Sequence, residues 1–245
     1  ISVALEGVTA EVDSGLVRRP RFDPGRGLTR LETRRVSRAS ATQRAGRAGR
    51  LQPGRAYRAW TQSRHERLEA QGRAEILDAD LSPALLELYA WGSGPASLDW
   101  LDRPSDAAWL QATQLLTELG AVSSGGAITP LGREMARFPA HPRLARLLAV
   151  ARSASDQVLA ADVAAVLTER DPLRVADGPR PGADLGLRLE LLAAYRAQGR
   201  LPAGVDRSAL RAQGRAAEQY LRLCRDPAEG DGPGLSLGRA LLMAY

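Results

Sequence analysis

Lysine and asparagine are absent from this 245-residue chain, cysteine occurs once, and aromatic residues make up 4% of it. Without Lys the sequence cannot contain a phosphate loop of the form G-x-x-x-x-G-K-[ST], whose Lys reaches the terminal phosphates of a nucleotide. Every one of the 34 strongly basic residues is therefore Arg. A GC-rich genome accounts for that bias as well as guanidinium chemistry does, so the bias alone carries no function. The lone Cys224 excludes an internal disulfide and a cysteine-rich zinc site. No run of eighteen apolar residues could span a bilayer, and no segment reads as a secretory leader, so a soluble protein of a reducing compartment, the cytoplasm, is expected. The two histidines, His65 and His141, have no carboxylate or thiol arranged beside them for acid–base work or metal binding, and no metal site is expected.

What is present is ordinary in amount and uneven in distribution. A content of 44% hydrophobic and 25% charged residues fits a globular protein of about two domains at this length. Residues 1–60 hold 13 Arg against 5 acidic residues, whereas residues 61–245 hold 21 Arg against 23 acidic. The positive density is N-terminal and suits phosphate, whether of a nucleotide or of a nucleic-acid backbone.

Within that basic segment lies Gln43-Arg44-Ala45-Gly46-Arg47-Ala48-Gly49-Arg50. Ser40-Ala41-Thr42-Gln43 fits the S-x-x-Q capping box that opens a helix and turns free amides toward an anion. A helix started there places Gln43, Arg47 and Arg50 at i, i+4 and i+7 on one face, with Arg44 pointing elsewhere. Two guanidiniums on one stripe, with Gly46 and Gly49 keeping the surface beside them low, form a fork able to reach the terminal phosphate of a triphosphate held by another lobe. The plain alternative is a solvated, arginine-rich helix.

The spelling Q-R-x-G-R-x-G-R resembles the last signature motif of superfamily-two helicases, in the form of the DEAH-box branch. Arg21-Phe22-Asp23-Pro24 through Leu51-Gln52-Pro53-Gly54, and Thr168-Glu169-Arg170-Asp171-Pro172-Leu173-Arg174, are similar to the bacterial HrpB type, and the similarity runs from end to end. The resemblance implies a partial α/β RecA-like lobe with a β-hairpin insertion over 1–65, a mostly α winged-helix domain over 66–130, and an α-helical ratchet-like domain over 131–245. It also implies that Gln43, Arg47 and Arg50 act on ATP and its Mg2+, both bound mainly by a first lobe outside these residues, so that this chain by itself is not expected to hydrolyse ATP. The implied partners are that first lobe and a single nucleic-acid strand, RNA by the habit of the branch.

Taken in order, Ile1-Ser2-Val3-Ala4-Leu5-Glu6-Gly7-Val8 resembles the tail of the family's fifth motif. Glu6 and Gly7 carry over as nucleotide neighbours, while Ile1 and Ala4 stand where the family has Thr; an exposed carboxylate at a strand entrance is the bland reading of Glu6. A strand is expected over 8–12. Residues 16–36 read as a hairpin with its turn at Asp23-Pro24-Gly25-Arg26-Gly27 and an alternating return strand. In the family this hairpin grips or separates nucleic acid, which makes Arg18, Arg19, Arg21 and Arg26 candidates; arginines also blunt an exposed edge against aggregation. Residues 54–60 read as a strand in which Tyr57 and Trp60 pack, and a polar linker begins at His65.

From residue 74 the pattern is helical. Asp80 and Ser105 read as caps, with Leu81, Leu85, Leu88 and Tyr89 on one apolar side, Leu110, Leu116 and Leu119 on the next, and ends at Gly92 and Gly120. Residues 121–128 read as two short strands joined by a turn, a wing with too few basic residues to read a duplex and therefore a spacer. Thr129-Pro130 starts a further helix. Apolar stripes at Leu144, Leu147, Leu148 and Ala151, then at Leu159, Val163, Val166 and Leu167, are core positions. Arg170 and Arg174 in the following charged turn are channel candidates, against a solvated loop. Helices are expected near 185–198 and 207–225, with an apolar element from 235. The reading is one part of an ATP-dependent RNA helicase; the rival is a winged-helix and helical module that grips nucleic acid with no nucleotide cycle, and a third is a helical adaptor whose arginines merely solvate.

Overall fold

The computed structural model describes residues 7–23, 27–173, 182–227 and 234–245. It is mostly helical with small sheets, and its contacts divide the chain into two compact units, 1–81 with 99–108, and 82–98 with 109–245. No helix of the described residues is long and apolar enough to cross a membrane.

The first unit is built on two strand pairs. Strand β1 (Ala10–Asp13) runs into a hairpin of β2 (Leu16–Asp23) and β3 (Leu28–Arg35), then helix α1 (Arg38–Ala45), and then β4 (Arg55–Arg58), which lies parallel to β1 in the register Ala10↔Arg55 to Asp13↔Arg58. A parallel pair needs a long crossover, and the hairpin with α1 supplies it. The turn between β1 and β2 is made by Gly15 at φ +74°, where any Cβ would also lie 2.8 Å from Cε3 of Trp60. Trp60 and Val17 pack on the buried Val36, Ala41 and Leu68, so Trp60 is a packing residue as expected, whereas Tyr57 is 52% exposed. His65 lies in helix α2 (Gln62–Glu66), capped by Thr61, and its ring stacks on Trp60. The hairpin is not a free arm. The Phe22 N–H donates to Asp78 O at 2.8 Å and Arg19 Nη1 donates to Arg73 O at 3.0 Å, which lays the 73–78 segment along the outer edge of β2.

The second unit contains α3 (Ser82–Ala90), most of α4 (Asp106–Glu118), α5 (Pro130–Met135), α6 (Pro142–Val150), α7 (Ala154–Thr168), α8 (Leu185–Arg196), α9 (Arg207–Leu223) and α10 (Leu237–Ala244). Leu85 and Leu88 of α3 are buried as their spacing predicts. In α4 the buried stripe is Trp109, Ala112 and Leu116, and Leu110 is 70% exposed, because one helical residue of 100° takes it off that stripe. The expected pair of wing strands is a single bridge, Val122↔Ile128, since Ser123-Ser124-Gly125-Gly126 leaves room for no longer ladder. Thr129 then caps α5, its hydroxyl accepting from Gly132 N at 2.9 Å, with Pro130 at the first helical position.

Helix α7 packs along α9. Its buried surface is mainly alanine (Ala160, Ala161, Ala164, Ala165) around Val163 and Val166, and the expected stripe residue Leu167 is on the outside at 39% exposure. Val166, Leu191, Leu192 and Leu210 join α7, α8 and α9 in one core cluster. Carboxylates tie the helices at their ends. Arg188 is buried and grips Asp171 with Nε at 3.2 Å and Nη2 at 2.6 Å, while its Nη1 holds the carbonyls of Gly182 and Asp184. Glu134 on α5 takes Arg137 at 2.5 Å on one oxygen, and Nε and Nη2 of Arg225, just past α9, on the other.

For both carboxylates burial works against the charge and is outweighed. Arg225 and Arg137 hold Glu134 below the usual 4.5, and Arg188 with the Leu173 amide holds Asp171 below 3.8. A depressed folded-state pKa contributes stability that is present above the unfolded value and is lost as pH falls through the folded one. Urea unfolding followed by circular dichroism is expected to lose stability as pH drops below 4.5 and further below 3.8, and Glu134→Gln should remove the upper part of that dependence. An unchanged profile in the variant would sink this account.

Candidate functional site

The motif helix starts and stops earlier than its spelling predicts. Ser37, not Ser40, is the N-cap, its hydroxyl accepting from Ser40 N, and α1 ends at Ala45 with Gly46 as C-cap. Two glycines within four residues make continuation costly, at roughly 1 kcal/mol each. Gln43 is therefore in the last helical turn, Arg47 is in the turn that follows, and Arg50 lies beyond it, so the three do not form an i, i+4, i+7 helix face. The Arg47 N–H closes the turn on Arg44 O at 2.9 Å.

What displays the two arginines is instead a pinned loop. Ala48, between them, is 1% exposed, and Arg47 and Arg50 on either side of it are exposed, their guanidinium groups forming no hydrogen bond or ion pair with a described residue. The loop returns at Gly54, where a Cβ would overlap the Ala48 carbonyl and lie 2.9 Å from Thr9 O; the next amide, of Arg55, donates to that Thr9 oxygen at 2.8 Å. Gln43 is also exposed. Uncommitted guanidiniums held on a fixed loop suit phosphate oxygens, and they cannot ligate a metal. Among the described residues no three His, Cys, Asp or Glu side chains gather as a metal site.

Arg44 is turned away from those two arginines and is committed to the protein through one nitrogen. Its Nη1 donates to Oδ1 of Asp13 at 3.0 Å and to Leu16 O at 3.1 Å. Asp13 is 7% exposed, its Oδ1 also accepts from the Gly15 amide at 2.9 Å, and its Oδ2 has no partner among the described residues. Sequence reasoning missed Asp13. The available signal was an acidic residue at a strand end followed, two residues on, by a turn glycine.

The hairpin sorts its arginines onto two faces. The register puts Arg19, Arg21, Arg30 and Arg34 on one face with Asp23 and Glu32, and Arg18 and Arg35 on the other. The guanidiniums of the arginine-rich face are engaged within the protein: Arg30 meets Asp23 at 2.6 Å, Arg34 and Arg21 share Glu32 at 2.9 and 3.5 Å, and Arg19 is bound to the Arg73 carbonyl. Arg34 and Arg21 hold the Glu32 carboxyl below its usual value despite some desolvation. Arg18 and Arg35 are exposed and have no partner among the described residues; strand parity from Arg18 would have found Arg35. Arg170 is exposed with Asp206 3.7 Å away, on a segment whose Pro172 is fully buried and whose Asp171 belongs to Arg188. Gly7 is exposed at φ +78°. Glu6, Arg26 and Arg174 lie outside the described residues.

This combination, a loop of free guanidiniums beside a parallel strand pair and then helices with a small wing, has counterparts. Residues 112–140 match the family described as helicase associated domain (HA2), winged-helix. The chain belongs to the DEAH/RHA helicase family. It is 45% identical over 188 residues to the ATP-dependent RNA helicase HrpB of Escherichia coli (strain K12), covering 76% of this chain and 22% of that protein. It is 39% identical over 150 residues to the pre-mRNA-splicing factor ATP-dependent RNA helicase prp22 of Schizosaccharomyces pombe, covering 60% of this chain and 13% of that one. Two solved structures superpose on it. The E. coli DExH-box NTPase HrpB covers 99% of this chain and 27% of that one, at a TM-score of 0.70 and 35% identity. The E. coli DEAH/RHA helicase HrpB covers 90% and 25%, at 0.71 and 38%. The chain thus spans about a fifth of the length of the HrpB relative, at 22%, and less of prp22.

The close approach at Gly54 generates a local test. Gly54→Ala is expected to destabilise the protein by about 1–3 kcal/mol, the usual cost of overpacking a closed site. Thermal unfolding checks it, and a melting point equal to the parent's would show that the loop is not pinned there.

Proposed function

We propose that the chain supplies the second RecA-like lobe, the winged helix and the ratchet-like domain of an ATP-dependent RNA helicase, over 1–65, 66–130 and 131–245. Arg47 and Arg50 act as the arginine fingers of ATP hydrolysis, with Gln43 beside them and Glu6 and Gly7 near the nucleotide. The observation that carries this reading is the pair of exposed, uncommitted guanidiniums flanking the buried Ala48. ATP and Mg2+ sit mainly on the first RecA-like lobe of the whole protein, and this chain by itself does not turn ATP over. That fits a sequence with no Lys for a phosphate loop.

The guanidiniums would close on the terminal phosphate, stabilise the charge that develops during transfer, and release when it leaves. Repeated closing and opening would step the protein along a single RNA strand. On this chain the strand meets Arg18 and its neighbour Arg35 with Arg19, Arg21 and Arg26 in the first unit, and Arg170 and Arg174 in the second. These are backbone contacts and carry little sequence preference. The compartment we propose is the cytoplasm, on the single cysteine of the sequence.

The test is RNA-stimulated ATP hydrolysis by the whole protein. Arg47→Ala and Arg50→Ala are each expected to lower turnover by about a thousandfold or more, the range known for such fingers. Unchanged turnover rejects the assignment, and nucleic-acid affinity that falls steeply with salt yet ignores nucleotide would favour the plain binding module instead.

A further inference from the structure

We propose that Arg44 is a positioning residue that links the base of the β2–β3 hairpin to Arg47, so that load on the hairpin is felt at the nucleotide. The proposal rests on the reading of Arg47 as a phosphate-contacting residue. One residue touches both ends of the link. Through its side chain Arg44 holds Asp13, the last residue of β1, at 3.0 Å and the carbonyl of Leu16, the first residue of β2, at 3.1 Å. Through its backbone it accepts the Arg47 N–H at 2.9 Å, the bond that closes the turn carrying that arginine.

Three features make this a link and not an ordinary surface ion pair. Asp13 is 7% exposed and Arg44's side chain 24%, so the pair is screened far less than an exposed one. Asp13 Oδ1 also holds the Gly15 amide, and the Val36 amide, at the other end of the hairpin, donates to Gly15 O at 3.0 Å. Both feet of the hairpin thus converge on the turn that Asp13 organises. The remaining oxygen, Oδ2, has no partner among the described residues, which leaves Arg44 as the one cation compensating that buried charge there. A displacement of the hairpin base cannot leave Arg44 in place without breaking a charge-assisted hydrogen bond, and moving Arg44 moves the carbonyl that sets Arg47.

In the full-length helicase, Arg44→Ala and the near-isosteric Asp13→Asn are compared with Arg47→Ala, measuring ATP turnover with and without poly-uridylate single strands. Arg44→Ala and Asp13→Asn are expected to lower the stimulated turnover about tenfold, the size of one charge-assisted hydrogen bond. KM for ATP should stay within about twofold, because uniform binding is untouched, and turnover without RNA should fall clearly less than the stimulated turnover, because the Arg44 carbonyl that holds the Arg47 N–H survives either substitution. The double substitution should be no worse than the worse single one, as for two halves of one contact. Equal loss of both turnovers in both variants, or stimulation intact in both, overturns the proposal. Should Arg44→Ala fail to fold, Asp13→Asn and Arg44→Lys decide by the same criterion. Arg47→Ala separates the two claims: if it leaves turnover unchanged, the finger reading and the link fall together, and if it abolishes turnover while Arg44→Ala and Asp13→Asn keep full stimulation, only the link falls.

Discussion

A carboxylate shut away from water must be compensated from inside the protein, and in the first unit Asp13 draws on Arg44, the second residue of the Q-R-x-G-R-x-G-R motif, for that purpose. The consequence spreads outward in both directions. Asp13 organises the Gly15 turn from which the hairpin departs, and Arg44 fixes the end of α1 from which the loop of Arg47 and Arg50 departs. Buried Ala48 and the close approach at Gly54 then hold that loop against the β1–β4 pair. The exposed arginines are positioned through the buried Asp13 and Ala48.

The second unit relies on the same chemistry for alignment and on apolar burial for stability. With Lys absent, the strongly basic partner of a carboxylate is always the planar fork of Arg, and several pairings are two-pronged: Arg188 on Asp171, Arg196 on Asp162 at 2.7 and 2.8 Å, and Arg225 on Glu134. Such forks fix the angle between helices as well as their distance. The exposed pairs across the hairpin are a different case, since surface ion pairs contribute about 0–1 kcal/mol. Their effect is to occupy the guanidiniums of one face and leave Arg18 and Arg35, on the other, as uncommitted cations among the described residues. Arginine content is therefore a poor guide to where a phosphate backbone would lie.

The hairpin arms, the helices near 185–198 and 207–225 and the Thr129-Pro130 start were all legible, because each rests on local pattern: alternation, capping residues or helical periodicity. The errors share a cause as well. Ser40 lost the N-cap to Ser37, and the motif helix stopped at Ala45, because a helix boundary depends on competition between neighbouring caps and glycines that a motif's spelling does not rank. Leu110 and Leu167 looked like core but are exposed, since each lies one residue off a buried stripe, that of Trp109, Ala112 and Leu116 in α4 and that of the alanines with Val163 and Val166 in α7.

By itself the sequence determined the family, through a motif whose every specified position is present, and the local elements, whose periods and caps are written in nearest neighbours. Only the tertiary structure decided which arginines are free. A side chain's commitment depends on the acid or carbonyl that folding brings to it, and those partners stand as far away as Asp13 from Arg44, Arg73 from Arg19, or Glu134 from Arg225. No local pattern encodes such a meeting, because it is fixed by the packing of whole elements.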